Sequence, residues 1–376
     1  MILPVPPSGP GNGVTFALPG EAETVTVQAV VTLPSLRPSE RAILAGALRS
    51  AIARTDGYAK GSILAMTAAP DGTVESLAGD HLRIGLHFQA SRSREMLTVL
   101  EAILARPAFF PETLSADLAA VAAPRDLWDR IGIPPIAPVK DADPALARET
   151  WARVVRPERL VLAFAGADAA HMASAWSARS IAWPSIPRPN YRAEPKPLAS
   201  PRGAAQIAVL EGQTLAPDAD LGPTLLALTA LGAGKGSVAW RALRLGRSAS
   251  YRTEATLAGV TEGWRARLAF DLAPEDEAAD AKGALLRGIE AMNDADLARA
   301  RGYLAASLRG EAYDALFTPS GRRLGNTLPD RAYLAAYLRL KTGRLAALPP
   351  VPDTSLEELQ ALLRALVEGA TLRFER

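Results

Sequence analysis

Apolar positions in the first half of the chain recur with two periods, one typical of strands and one of helices. Residues 13–18 and 25–33 alternate between apolar and polar side chains or are β-branched, with a Pro-Gly turn signal between them. From Met96 to Leu104 apolar side chains recur at helical spacing. The predicted strands are 13–18, 25–33, 63–69, 82–88 and 160–165, and the predicted helices are 39–54 (capped by Ser39), 96–104 and 169–178.

The second half of the chain repeats this plan of strands and helices. A strand-like run precedes a helical pattern, and two further strands are separated by Gly263. Asp294 is the expected N-cap of one of the later helices. The predicted strands are 206–210, 249–257, 264–272 and 371–375, and the predicted helices are 221–231, 274–292, 294–308 and 357–366.

Prolines recur between the two halves, in residues 184–201. Proline blocks both helical and ladder hydrogen bonding, so this stretch is predicted to be a semi-rigid linker. It separates an N-terminal domain, 1–183, from a C-terminal domain, 202–376. Each half has strands first, helices after them and a strand near its end. We therefore predict two similar α+β domains, each a mostly antiparallel sheet with helices packed on one face.

Composition excludes several classes of function. A net charge of +2 gives no large field for nucleic acid or an anionic membrane, so neither is expected as a partner. The absence of cysteine excludes disulfides, thiolate metal sites and cysteine nucleophiles, and no stretch is apolar enough for a transmembrane helix. The N-terminus lacks the features of a signal peptide, so the sequence as given indicates the cytoplasm, whereas a leader removed before Met1 would indicate the periplasm.

The most specific motif is the stretch 231–251, which reads LGAGKGSVAWRALRLGRSASY. A glycine-rich turn is followed by Arg244 and Tyr251, seven positions apart. The stretch resembles the C-terminal half of the pitrilysin and mitochondrial-processing-peptidase family of zinc peptidases. Members commonly read Gly-Gly-Gly-x-x-Ser-x-Leu and then Leu-Arg-Glu-x-x-Gly-Leu-Ala-Tyr. The chain keeps Leu243 and the Arg/Tyr pair at matching spacing, and it departs from the pattern at Leu245, Arg247, Ser248 and Ser250.

The resemblance implies a role for each of these residues. Arg244 would donate paired hydrogen bonds to the backbone of a substrate peptide, and the Tyr251 hydroxyl would stabilise the oxyanion of the transition state. Arg241 and Arg252 lie near enough to leave open which arginine faces the cleft. The residues of the turn would bind the substrate: Gly232, Gly234, Gly236 and Ser237.

The zinc motif of that family, His-x-x-Glu-His, occurs nowhere in the 376 residues. One alignment sets Arg49, Ile52 and Ala53 where the two histidines and the glutamate belong, and another treats the zinc helix as deleted. Either alignment removes the metal. The resemblance then implies that this chain holds no cofactor and that a homologous partner subunit carries the zinc.

Other chemistry-bearing residues give weaker signals. The Asp80-His81 pair is predicted to lie in a turn, and His87 is predicted to be a strand residue rather than a zinc ligand. The sequence Gly-Ala-Gly-Lys-Gly-Ser does not match the P-loop pattern, so nucleotide binding is disfavoured. The tryptophans expected to anchor packing are Trp176, Trp183 and Trp264.

Two interpretations of function stay open. In the first, the chain is the non-zinc subunit of a heteromeric zinc metallopeptidase and supplies Arg244 and Tyr251 to the partner's zinc site. In the second, it is a non-catalytic scaffold or peptide-binding protein of the same fold, and those two residues are relics. Alone, the chain is expected to be inactive under both interpretations.

Overall fold

The computed structural model describes the chain in segments that form two compact units. The described residues are 3–4, 11–20, 23–55, 63, 72–122, 139, 143–185, 206–245, 252–272, 278–309, 327–343 and 349–375. The first unit contains the described residues within Met1–Pro124, Pro134–Leu198 and Thr327–Ala346. The second contains those within Ala199–Asn326 and Ala347–Arg376.

Strands and helices are numbered in chain order. The strands are β1 (Leu3–Pro4), β2 (Val14–Pro19), β3 (Thr24–Thr32), β4 (Thr73–Leu77), β5 (His81–Gln89), β6 (Leu160–Gly166), β7 (Gln206–Leu215), β8 (Thr253–Val260), β9 (Gly263–Leu272) and β10 (Thr371–Glu375). The helices are α1 (Pro38–Ala53), α2 (Ser93–Ala105), α3 (Pro111–Ala122), α4 (Pro144–Val154), α5 (Ala169–Ser177), α6 (Gly222–Gly232), α7 (Ala278–Glu290), α8 (Asp294–Leu308), α9 (Leu328–Thr342) and α10 (Leu356–Glu368).

The first unit is built on a sheet with strand order β1-β2-β6-β3-β5-β4. Only the pairing of β2 with β6 is parallel among these described strands. One face of the sheet forms a single apolar core with α1 to α5. Trp151 of α4 and Trp176 of α5 are buried in that core, and their indole N–H groups donate to the carbonyls of Leu104 and Asn12. Because both ring donors are satisfied, the two large rings can be buried without leaving a polar group unpaired.

The second unit is built on an antiparallel sheet with strand order β10-β7-β9-β8. On one face, Leu210 and Leu268 line a small space with residues of α6 and α10. Trp264 is fully buried and donates its ring N–H to the Pro217 carbonyl. None of the described helices is both long and apolar enough to cross a membrane.

The predicted α+β fold class, with two similar domains, is confirmed. The two sheets share an order of equivalent strands, β6-β3-β5-β4 in the first unit and β10-β7-β9-β8 in the second. The structure adds α9, which the sequence patterns did not predict. Although α9 lies within residues 202–376, Thr327–Ala346 belongs to the first unit, so the second half of the chain does not form one unit by itself. Of the predicted linker, all residues after Ser185 lie outside the described part of the chain.

Two predicted helix caps are wrong by one or two residues. Helix α1 begins after Arg37, because Pro38 suits the first helical position and the Glu40 carboxylate accepts from the Arg37 amide at 2.9 Å. Helix α8 is capped by Asn293, whose side-chain oxygen accepts from the Ala295 amide at 3.0 Å. The predicted strand 63–69 lies outside the described residues except for Ile63, which is helical.

Candidate functional site

The glycine-rich turn joins α6 to a short helical segment and is shaped by its glycines. Gly232 lies so close to β8 that a Cβ atom there would come within 2.4 Å of the Ala255 Cβ atom. Gly236 has a φ of 94°, a conformation that residues with a side chain rarely adopt. Gly234 also has a positive φ, and a Cβ atom on it would contact the Tyr303 ring on α8. The turn is therefore fixed by close packing against its own unit.

Ser237 ends the turn and starts the helical segment that carries Arg244. Its side chain is buried, and its hydroxyl oxygen lies 3.3 Å from the Trp240 amide, in the position of an N-cap. The segment continues as a π-helix over Trp240–Leu245, with Leu243 fully buried. Gly288 lets α7 approach the same segment closely, since a Cβ atom there would meet Val238 at 3.1 Å.

Arg244 and Leu245 are exposed at the end of this segment. Leu245 is among the most exposed large apolar residues described, at 64%. π-Helical turns occur frequently at functional sites. The Arg244 guanidinium can donate several hydrogen bonds in a fixed plane, which suits binding to the carbonyl oxygens of an extended peptide. Tyr251 lies outside the described residues, so its predicted place beside Arg244 stays a prediction.

Arg241, the other arginine of the segment, is tied to α8. Its guanidinium lies 2.9 Å from the Asp296 carboxylate, which also accepts from Arg299 at 2.7 Å. Burial would raise the pKa of Asp296, but hydrogen bonds from both guanidinium groups and from the Asn293 amide outweigh it and lower that pKa. Arg252 is engaged at the start of β8, where its amide donates to Asp271 at 2.8 Å and its side chain reaches Glu254 at 3.4 Å. Arg241 and Arg252 thus have anionic partners within the second unit.

Solved structures of several bacterial proteins share this architecture. A protease from Helicobacter pylori matches with a TM-score of 0.71 at 13% identity, over 97% of each chain. A peptidase M16 inactive domain from Pseudomonas fluorescens matches with a TM-score of 0.64 at 14% identity, over 98% of this chain and 96% of that one. A candidate M16-like peptidase from Alicyclobacillus acidocaldarius matches with a TM-score of 0.64 at 14% identity, over 97% and 96%.

The chain has the fold of M16-like peptidases. No protein-family model matches its sequence, and no curated protein does. At 13–14% identity the likeness to M16-like structures is one of fold, and it extends over almost the whole length of both chains. The predicted peptidase fold is therefore confirmed, whereas the resemblance to one branch of zinc peptidases stays a prediction.

The three histidines of this chain are not arranged as a zinc site. His81 is fully buried, with its two ring nitrogens beside Asp80 and the Tyr333 hydroxyl. His87 lies on β5 and His171 is exposed on α5. In the described part of the chain, no group of three or more His, Asp or Glu side chains could hold a metal ion. A resident zinc therefore does not fit the described residues.

The residues aligned with the missing zinc motif are structural residues of helix α1. Arg49 is exposed and lies 3.6 Å from Asp117 of α3, while Ile52 is buried in the core of the first unit. Ala53 is the last residue of the helix. This face of α1 is used for packing against α3, and it presents no set of metal ligands.

Sequence reasoning missed a buried polar cluster around Asp80 and His81. The pair was predicted to lie in a turn, and Asp80 does precede β5, but both side chains are almost fully buried. Their partners Tyr333 and Tyr337 lie about 250 residues further along the chain, on α9. No local pattern around Asp80 signals such distant partners.

Proposed function

We propose that this chain is the non-zinc subunit of a heteromeric zinc metallopeptidase. Arg244 and Tyr251 would bind the backbone of the substrate peptide and stabilise the transition state at the zinc site of a homologous partner subunit. The chain alone would bind no zinc and cleave no peptide. The observation that carries the proposal is an exposed Arg244 on a segment whose neighbouring residue, Leu243, is fully buried.

The packing of the Arg244 segment supports a role in catalysis. Gly232 packs against β8, Ser237 caps the segment and Leu243 is buried, so contacts within the second unit hold the backbone that leads to Arg244. Groups that stabilise a transition state act best when their positions are fixed before the substrate binds. The residues of the turn would then contribute by positioning, with substrate contact made chiefly by Arg244 and Tyr251.

The chemistry of the two side chains also supports this role. A guanidinium presents several donors in a fixed plane and can bind two carbonyl oxygens of an extended peptide at once. A tyrosine hydroxyl can donate to the oxygen on which negative charge develops, a contribution worth about 100-fold to 1,000-fold in kcat for comparable donors. Neither group needs a metal in its own subunit.

Reconstitution tests the proposal. The chain is mixed with a zinc-bearing M16-like subunit from the same genome, and cleavage of fluorogenic peptides is followed for each subunit alone and for the mixture. We expect activity only in the mixture. Tyr251→Phe should lower kcat about 100-fold or more, and Arg244→Ala should raise KM and lower kcat, with Arg244→Lys only partly restoring both because it lacks the planar donor pair.

Arg92→Ala is the matched control, since Arg92 is also exposed but lies at the start of α2 in the first unit. This variant should behave as the unsubstituted chain. Co-elution of the two subunits in size-exclusion chromatography separates loss of catalysis from loss of assembly. Full activity of both Arg244→Ala and Tyr251→Phe in an assembled complex would exclude the proposed catalytic role.

A second function is favoured by one specific observation, the match to a protein named as an inactive M16 domain. In that case the chain is a scaffold or peptide-binding subunit, and Arg244 takes no part in cleavage. The same experiment distinguishes the two functions. A scaffold would assemble with the zinc-bearing subunit and bind peptide without any change in kcat on substitution of Arg244 or Tyr251.

A further inference from the structure

The second unit carries a group of charged side chains on one face of its sheet. We call this group the arginine cluster, and its members are Glu211 of β7, Arg265 and Arg267 of β9, and Arg373 of β10. Successive side chains of a strand point to opposite faces of a sheet. Since Leu210 and Leu268 face α6 and α10, the arginine cluster lies on the face opposite these two helices.

The three guanidinium groups of the cluster converge on the Glu211 carboxylate. Arg267 Nε lies 2.7 Å from its Oε1 atom, and Arg373 Nη2 lies 3.4 Å from the same oxygen. Arg265 Nη1 lies 3.6 Å from the other oxygen, Oε2. Because all three side chains reach one carboxylate from two neighbouring strands, their positive charges are concentrated on a small part of the sheet.

Positive charge exceeds negative charge within the arginine cluster. Three guanidinium groups share one carboxylate, which leaves a local charge of +2. The other printed partner of Arg265 is neutral, the Thr214 hydroxyl at 2.8 Å. Burial lowers the pKa of Arg267, the Glu211 carboxylate raises it, and the charges of Arg373 and Arg265 lower it further, so the pKa lies below its usual value. A second anion beside the cluster would relieve this repulsion.

Two further carboxylates on the same face are engaged elsewhere. Glu254 of β8 and Asp271 of β9 follow the same alternation along their strands as the cluster does. The Arg252 side chain reaches Glu254 at 3.4 Å, and the Arg252 amide donates to Asp271 at 2.8 Å. These two carboxylates thus have a partner at the start of β8, outside the arginine cluster.

A ligand in solvent can reach two of the three arginines. The side chains of Arg265 and Arg373 are 32% and 41% exposed, whereas that of Arg267 is 11% exposed. Each guanidinium has five N–H donors, and a carboxylate has about four acceptor sites. Glu211 therefore cannot accept all the hydrogen bonds that the three guanidinium groups can donate, and the two exposed groups can also bind an external anion.

The chemistry of the cluster suits the carboxylates of an acidic peptide. Guanidinium groups bind carboxylates through paired hydrogen bonds. A single exposed ion pair contributes little, so a ligand with several carboxylates is favoured over one with a single carboxylate. In an extended peptide, side chains two residues apart lie on the same side, about 7 Å from each other. The net charge of the chain, +2, gives no wider field for a long polyanion such as a nucleic acid.

We propose that the arginine cluster is a binding site for acidic peptide segments, whose carboxylates bind Arg265 and Arg373. Glu211 competes with the peptide for the same guanidinium groups and so limits the affinity. The site consists of residues of this chain alone. It is therefore independent of a zinc-bearing partner and of the role proposed for Arg244, and it can be tested separately.

Fluorescence anisotropy with the full chain tests the site. The probe is a fluorescein-labelled peptide of six glutamates, titrated at low salt, and a peptide of six glutamines is the neutral control. We expect saturable binding of the acidic peptide and none of the neutral one. Affinity should fall at least about 10-fold when salt is raised to about 0.5 M, because the charges involved are exposed and screened.

Substitution of both exposed arginines locates the binding site. The double variant Arg265→Ala/Arg373→Ala should bind the acidic peptide at least about 10-fold more weakly. The matched control is Arg92→Ala/Arg301→Ala, which removes the same charge from two accessible arginines outside the cluster. Because each of these arginines is paired with a carboxylate of its own, the control should lose less than about 2-fold.

Glu211→Gln should change the affinity in the opposite direction. It raises the local charge by one unit and removes the internal competitor, so the acidic peptide should bind roughly 3-fold to 10-fold more tightly. Circular dichroism confirms that each variant is folded. The proposal would be overturned by an absence of saturable binding at low salt, by equal losses in the two double variants, or by weaker binding of the peptide to folded Glu211→Gln. Tighter binding of a six-nucleotide DNA strand through the same two arginines would also overturn it, since the site would then be one for nucleic acid.

Discussion

Asp80, in the turn before β5 of the first unit, and Glu211, on β7 of the second, are both carboxylates with cationic partners, but they differ in burial. Asp80 is 3% exposed and contacts one ammonium, one imidazole and one phenol. Glu211 is 15% exposed and contacts three guanidinium groups, Arg265 at 3.6 Å, Arg267 at 2.7 Å and Arg373 at 3.4 Å. The carboxylate with fewer cationic partners is thus the more deeply buried.

We expect burial, rather than the number of cationic partners, to decide how much each carboxylate contributes to the stability of its unit. Of the partners of Glu211, Arg265 and Arg373 are partly exposed, so solvent can screen these two ion pairs and solvate either guanidinium if its pair breaks. Water cannot take the place of the Asp80 carboxylate in this way, because a buried donor that loses its acceptor keeps its full desolvation cost. We therefore expect the two clusters to respond very differently to the same type of substitution.

The largest expected effect is that of Asp80→Ala. The substitution leaves the Lys341 ammonium and the Tyr337 hydroxyl buried without their acceptor, which should cost about 3–5 kcal/mol, or the whole docking free energy of α9 if that is smaller. Urea denaturation measures the loss of stability, and circular dichroism reports any loss of helix before the main transition. A loss below about 1 kcal/mol would place Asp80 in the same class as a surface carboxylate.

Asp80 should also contribute to the loss of folding stability at acidic pH. Burial would raise its pKa, but hydrogen bonds and charges from His81 and Lys341 outweigh burial and hold the pKa well below its usual range. The folded protein thus keeps this carboxylate ionised more readily than the unfolded chain does. Its contribution to stability is complete above an aspartate's ordinary pKa, about 3.9, and is lost as the pH falls further.

The Asp80→Asn variant lacks this titrating carboxylate. Comparison with the unsubstituted chain therefore separates the effect of Asp80 on stability from that of the other acidic groups. Between about pH 5 and pH 2, the unsubstituted chain should lose stability more steeply than Asp80→Asn, by up to about 1.4 kcal/mol per pH unit. Urea titrations at a series of pH values measure both slopes. Parallel slopes would mean that Asp80 has the same pKa in the folded and unfolded chains.

A smaller effect is expected for Tyr337→Phe, which removes one hydroxyl and leaves the ring in place. The Asp80 carboxylate keeps its contacts with His81 and Lys341, so the loss of stability should be about 1–2 kcal/mol. Thermal unfolding followed by circular dichroism measures it. An effect as large as that of Asp80→Ala would indicate that the phenol, and not the carboxylate, is the centre of the cluster.

The Asp80 cluster also marks the limit of what the sequence predicts. Strands and helices with strong local periodicity, such as 82–88 and 96–104, were found because β5 and α2 are amphipathic over their whole length. Helix α9 was missed because its buried positions are alanines and tyrosines among charged residues, so its apolar stripe is weak. Its assignment to the first unit depends on contacts between residues about 250 positions apart, which local patterns do not contain.

The candidate site was predictable to a different degree. The glycine-rich turn was predicted from its local sequence motif. In the structure, each of its glycines is required either by a positive φ or by close packing. The role of Ser237 was not foreseen in the same way: it was predicted to bind substrate, whereas its hydroxyl caps the helical segment. A hydroxyl residue before a helix suits either role, so the residue type alone does not separate them.

The smallest expected effect is that of Glu211→Gln. The amide keeps the volume and one acceptor oxygen for Arg267, and water can solvate Arg265 and Arg373, so the loss should be about 1 kcal/mol or less. Since the three guanidinium groups repel one another more once the carboxylate is gone, the loss should shrink at 1 M salt, where charges are screened over about 3 Å. Urea denaturation at low and high salt measures both effects. A salt-independent loss as large as that of Asp80→Ala would mean that partner number outweighs burial, and would reverse the comparison between the two carboxylates.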